Sequence, residues 1–220
     1  MNVQTNSLRE MLETLPENST LVLHEVSWAE YEEMLALLPD TARFRLSYDQ
    51  GTLQIMTLSP RHERLKSLFT PLLTVLAEEQ NLNLVSLGST TFKLASAARG
   101  LEPDDCYYVY EAERIIGRDT IDLDIDPPPE LVIEVDITHP SQDKLPIYGS
   151  LGVMEVWRHD GQTLQLLRLR EAQYTEIVES VLFPGLTAAV LTDFVQQGHD
   201  QGIIPMVRAF RAWVRANSQT

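Results

Sequence analysis

Two carboxylates stand where a core strand would carry hydrocarbon. In PPPELVIEVDITHPSQDK, residues 127 to 144, the run from Glu130 to Ile137 is dominated by Leu, Val and Ile. Three prolines precede it, His139-Pro140 follows it, and it is too short for a helix, so it reads as a buried strand. Side chains alternate faces along a strand, which puts Val132, Glu134 and Asp136 on one side and Leu131, Ile133, Val135 and Ile137 on the other. Two like charges about 7 Å apart among apolar neighbours repel and lose hydration unless a cation, a proton or a hydrogen-bond network compensates. Something positive is expected beside Glu134 and Asp136.

A second acidic cluster, EPDD at Glu102 to Asp105, stands directly ahead of the apolar run CYYVY. Its plainer reading is a solvated turn before a strand. With another acid about thirty residues later in a second core strand, the spacing lets two adjacent strands bring carboxylates to one metal ion. Lys144 lies four residues before Tyr148 in an expected short helix and so on the same side of it. An isolated lysine ordinarily faces solvent.

The elements that position these residues can be read in outline. TLVLHEV opens with a strand, and a helix follows it from Ser27, with Glu30 at capping-box spacing. ARFRLSY and TLQIM flank Asp49-Gln50-Gly51 as a hairpin. Ser59-Pro60 starts a long amphipathic helix with a kink expected at Pro71. NLVSLG and TTFKLA give short strands, Gly100 marks a loop, and Glu111 to Gly117 forms a helical turn. A polar connection at 118 to 126 leads to the strand above, then to a short helix with Pro146 in its first turn. Strands in VMEVWRH, TLQLLRL and YTEIVES precede two terminal helices, the second carrying Arg208, Arg211 and Arg215 on one face. The fold class is mixed α/β (α+β), with a central sheet of mixed direction.

Composition narrows the function. A chain of 220 residues, 44% hydrophobic, is read as one domain. No apolar run reaches the roughly 18 residues of a membrane span, and the amino terminus lacks the blocks of a signal peptide, so no membrane association and a cytoplasmic location are expected. Cys106 is alone, which leaves no internal disulfide and a cysteine zinc site without its partners. A net charge of −15 argues against indiscriminate phosphate coating, while carboxylate clusters suit an enzyme that meets nucleic acid through a bound divalent ion.

Taken together, Pro103-Asp104, Glu134-Val135-Asp136 and Lys144 resemble the PD-(D/E)XK nuclease superfamily. GTLQIMTLSPRHERL, GSTTFK, EPD, PPPELVIEVDITHPS and DKLPIYGSLGVMEVWRHD resemble, in order and spacing, the Uma family of restriction-endonuclease-like proteins. The resemblance implies a restriction-endonuclease-like core over about 51–160, an N-terminal strand-helix-hairpin extension at 1–50, and C-terminal strands and helices at 161–220 of a single domain. It also implies a DNA endonuclease dependent on Mg²⁺ or Mn²⁺. Asp104, Glu134 and Asp136 would hold the ion, with the Val135 carbonyl as a further ligand, and Lys144 would orient or activate the attacking water. In the same likeness His62 matches a family histidine able to reach the metal water or a phosphate, and Lys93 would face the site from a neighbouring strand.

Two departures accompany the likeness. The superfamily's lysine lies two residues after the acid, where this chain has Asp136, and a glutamate common four residues before the hairpin glycine is Ser47 here. They support an alternative, a non-catalytic nucleic-acid- or protein-binding module that keeps the nuclease fold. The arginine face would dock on DNA, on the protein's own acidic surface or on a second subunit, and a homodimer is compatible with it.

Overall fold

The computed structural model describes residues 12, 14–38, 44–137 and 141–217. Its elements run β1 (Thr20–Leu23), α1 (Trp28–Leu37), β2 (Phe44–Asp49), β3 (Thr52–Thr57), α2 (Pro60–Lys66), α3 (Phe69–Glu79), β4 (Val85–Ser86), β5 (Phe92–Leu94), β6 (Arg99–Leu101), β7 (Asp105–Tyr108) and α4 (Ala112–Ile115). Then come β8 (Leu131–Val135), α5 (Leu145–Leu151), β9 (Glu155–His159), β10 (Leu164–Arg170), β11 (Gln173–Ile177), α6 (Ala188–Gln201) and α7 (Ile203–Asn217). No helix among the described residues is long and apolar enough to cross a membrane.

The strands form two sheets where the sequence led us to expect one. The first is antiparallel throughout, in the order β1-β3-β2-β6-β5. Its hairpin closes as expected, with Gln50 and Gly51 both at positive φ (45° and 100°), the combination a two-residue turn needs to follow strand twist. Alternation along β3 is strict: Leu53, Ile55 and Thr57 are buried and Thr52, Gln54 and Met56 are not. The buried face, with Phe44, Leu46 and Tyr48 of β2, packs against Tyr31 and Met34 of α1. Helix α1 begins at the expected capping box: Glu30 N–H donates to Ser27 Oγ at 3.3 Å, and Ser27 N–H to Glu30 Oε2 at 2.7 Å.

Gly100, expected in a loop, lies instead within β6, paired with Tyr48 and Lys93. A Cβ there would stand 2.6 Å from the Tyr31 hydroxyl, so glycine here serves close packing and not a turn.

The second sheet runs β11-β10-β9-β8-β7-β4 and carries the one parallel pairing seen among the described strands, β8 with β9. It is the expected mixed sheet. Parallel neighbours need a crossover, and α5 supplies it. Ile133, Val135, Tyr107 and Trp157 pack on one face against α3, α6 and α7. Val132, Cys106 and Val156 pack on the other against Ile147, Tyr148 and Leu151 of α5. The β8 strand is shorter than the expected 130–137, and the bounding His139-Pro140 lies outside the described residues.

The long helix expected from Pro60 is two helices, broken at Ser67-Leu68. Pro71 has no N–H for the Ser67 carbonyl, and its ring would collide with that carbonyl in a continuous helix, so the chain restarts with proline in the first turn of α3. The break frees α2 to lie against β8 and to carry His62 inward.

A buried carboxylate, histidine and lysine site

Glu134 projects from β8 on the Val132 face, which α5 covers. Lys144 ends the 3₁₀ turn Ser141–Lys144, and Tyr148 lies one helical turn further on. Both reach the same carboxylate: Lys144 Nζ donates to Oε2 at 2.7 Å and the Tyr148 hydroxyl donates to Oε1. Asp104 stands immediately before β7, and its Oδ2 accepts from the Val135 N–H at 2.8 Å and meets His62 Nε2 at 2.9 Å. Lys144, His62, Glu134 and Asp104 are only 6, 4, 1 and 0% exposed, so their charges act on one another with little screening by water.

The charge pattern follows. Burial alone would discharge His62, but its hydrogen bonds to Asp104 and Glu63, and their charges, outweigh it and hold the ring up to about 9. Burial likewise works against Asp104. The His62 hydrogen bond, the Lys144 and His62 charges and the Val135 amide override it and hold the carboxyl at about 2. Glu134 goes the other way: burial lifts it to about 7 against the pull of Lys144, with Asp104 and Asp136 adding to the rise. Burial pulls Lys144 down, yet Glu134, Asp104 and Asp136 keep it above its ordinary value.

Asp136 has a partner of its own. Its Oδ2 accepts from Arg158 Nε and Nη2 at 2.9 and 2.7 Å and from the Ser141 N–H and hydroxyl at 3.0 and 2.9 Å. The positive charge expected beside the strand is therefore present as two side chains, Lys144 for Glu134 and Arg158 for Asp136. Arg158 sits opposite Glu134 in the parallel register. Its role was not apparent in the sequence, because a strand register decides which arginine meets which acid.

Lys93 is exposed and pairs with Glu32 at 3.3 Å, away from this group, which corrects its expected place facing the site. Cys106 is buried, and burial raises its thiol well above its ordinary value. Sequence reasoning also missed Arg45 on β2, 5% exposed, whose Nε stands 3.9 Å from Asp104 Oδ1. A single arginine in an alternating strand carries no signal of burial until the second sheet is known.

Among the described residues, no three His, Cys, Asp or Glu side chains gather as a ready-made metal cage. Yet one atom fits a divalent ion. Asp104 Oδ1 is a hard anionic oxygen, fully buried and without a hydrogen-bond partner among the described residues. Glu134 is the nearby second oxygen donor, since each oxygen can accept again beside its present partner.

Comparison with known proteins bears on the fold and the family. No curated protein matches the chain. A solved structure described as "a putative nuclease belonging to DUF820", from Anabaena variabilis ATCC 29413, superposes with a TM-score of 0.52 at 16% identity, covering 77% of this chain and 99% of that one. At that identity the likeness concerns the fold. The model of the Uma2 family, described as "Putative restriction endonuclease", matches residues 28–198, a span holding His62, Asp104, Glu134, Asp136 and Lys144, and the chain belongs to that family.

Proposed function

We propose that the chain is a divalent-metal-dependent endonuclease that hydrolyses phosphodiester bonds in DNA. The observation that carries this reading is the unpartnered, buried Asp104 Oδ1 beside a glutamate whose ammonium partner is already in place. Asp104 and Glu134 would hold Mg²⁺ or Mn²⁺, with the Val135 carbonyl as a further oxygen. When bound, the ion supplies Lewis acidity toward the phosphate and a more acidic water.

The chain's own groups do the rest. His62 keeps Asp104 ionised and fixed in orientation, so that oxygen stays an anion at neutral pH. Lys144 offsets Glu134 and presents an ammonium where charge would build on the phosphate oxygens, and Tyr148 fixes the second glutamate oxygen. Asp136, fastened to Arg158, adds negative potential from behind the pair and braces the turn that carries Lys144.

A second reading, a binding module without catalysis, draws on the fact that both Glu134 oxygens are already engaged within the chain. The two readings part on one experiment. Supercoiled plasmid and single-stranded DNA are incubated with native protein, Glu134→Gln and Lys144→Met in Mg²⁺ or Mn²⁺, and Mn²⁺ binding is followed by electron paramagnetic resonance for native and Asp104→Asn. We expect metal-dependent cleavage that falls on the order of a hundredfold or more in both cleavage variants, and Mn²⁺ binding lost in Asp104→Asn. No cleavage by native protein, or equal cleavage by all three, would remove the nuclease and leave the binding module.

A further inference from the structure

Among the described residues, the face of the first sheet that turns away from α1 has no hydrophobic partner layer. Across β1, β3 and β2 it presents a register row of Thr20, Met56 and Arg45, then a row of Val22, Gln54 and Ser47. These six line one side of a cleft of about 340 Å³ whose other side carries Asp136, Ser141, Asp143 and Lys144. A third row, Thr52 with Asp49, continues the surface into a second cleft of about 330 Å³, walled by Gln142, Pro146 and Ile147. The two clefts share Ser47, Gln54 and Asp143, so they form one groove. Same-face residues on a strand are about 6.7 Å apart, which makes three rows an extended track of about 13 Å leading to Lys144.

This groove holds unspent hydrogen-bonding capacity. Among the described residues, buried side-chain atoms without a partner include Thr20 Oγ1, Arg45 Nε and Asp104 Oδ1. The first two belong to groove-lining residues, and the third lies 3.9 Å from Arg45 Nε. Buried donors left unpaired are costly and call for a ligand. Arg45 is fixed by donating Nη1 to the Phe44 carbonyl at 2.9 Å, which leaves Nε as a preset donor for an anionic oxygen. Two of the acids nearby are already met by arginines, Asp136 by Arg158 and Asp49 by Arg99 at 2.8 Å. Asp143 lies on the exposed outer wall.

We propose that this groove receives a single unpaired DNA strand, with one backbone phosphate on Arg45 and the adjoining nucleotides laid along the Met56 and Gln54 rows. The proposal rests on the nuclease reading and names its substrate class. Size favours one strand: the groove is two joined clefts of about 340 and 330 Å³ along a single sheet face, whereas the two backbones of a duplex stand about 12 Å apart across the major groove.

The test is fluorescence anisotropy of a labelled oligonucleotide, unpaired or annealed to its complement, in a chelator and with full-length protein. The variants are Arg45→Gln and Val22→Trp, the latter filling the groove from a residue 41% exposed. We expect unpaired DNA to bind about tenfold or more tightly than duplex, and each variant to weaken it about tenfold or more. Equal affinity for duplex, no binding of the unpaired strand, or unchanged affinity in both variants would overturn the proposal. Should Arg45→Gln fail to fold, Val22→Trp decides alone. Selective binding of unpaired DNA without metal-dependent cleavage would sink the nuclease and leave the groove standing. Cleavage of duplex by a protein that shows no preference for the unpaired strand would do the reverse.

Discussion

Lys144 and Glu134 form a buried pair that neither member can leave without harm to the other. Removing only the ammonium strands an anion in an apolar layer, so Lys144→Met should destabilise the fold by about 3–5 kcal/mol. Lys144→Met combined with Glu134→Gln, which removes both charges, should recover a large part of that loss. Urea denaturation of the three variants checks the pattern, and a single variant as stable as native protein would show that the pair carries no such coupling. The His62 and Asp104 pair makes a prediction in pH. His62 is raised from 6.5 to about 9, so its contribution is whole below 6.5 and is lost as pH rises through about 9. Asp104 is lowered from 3.8 to about 2, so its contribution is present above 3.8 and lost as pH falls through about 2. The urea midpoint should therefore decline on the alkaline side, and His62→Gln should flatten that limb; an unchanged limb would rule the ion pair out as its cause. At this scale the sequence was informative where two acids broke an apolar strand, since burial of charge is costly wherever the strand ends up. It was silent on Arg45 and Arg158, whose partners are set by pairing between distant strands.

Elements were legible when local chemistry decided them and less so when packing did. The capping box at Ser27, the turn at Gln50-Gly51 and the proline-led start of α5 are local devices, and each formed where the residues indicated. The helix break near Pro71 needed one more step, since a proline at that position either kinks a helix or starts a new one. Gly100 shows the opposite case, a residue that punctuates loops elsewhere and here makes room for an aromatic ring. Tyr31 is fully buried and stacked on Tyr48 with ring centroids 4.8 Å apart, so it has little freedom to yield. Gly100→Ala should cost about 1–3 kcal/mol by overpacking. Tyr31→Phe takes away the hydroxyl that the new methyl would strike, and in that background the same substitution should cost clearly less. Thermal denaturation of the four combinations measures the coupling, and equal costs in both backgrounds would show that the hydroxyl is not the obstacle.

At the scale of the whole molecule, the mixed sheet was foreseeable from short apolar runs alternating with amphipathic ones, but the division into two sheets was not. It depends on β5 and β6 joining the hairpin, and nothing within those three-residue strands specifies a partner. The acidic charge of −15 is offset locally where the chain needs it. Arg211 and Arg215 of α7 bond Glu78 and Glu79 of α3, so two of the three arginines of that face serve the protein's own acidic surface. The contact between β8 and Asp104 has a practical side. The Val135 amide of the central sheet donates to the same Asp104 oxygen that His62 holds, deep in the interior. Its proton resonance and its exchange with deuterated solvent will follow the state of that carboxylate. The molecule thus carries a built-in spectroscopic reporter: a ¹⁵N-valine sample can register events at the site from the backbone, with every side chain of the site left intact.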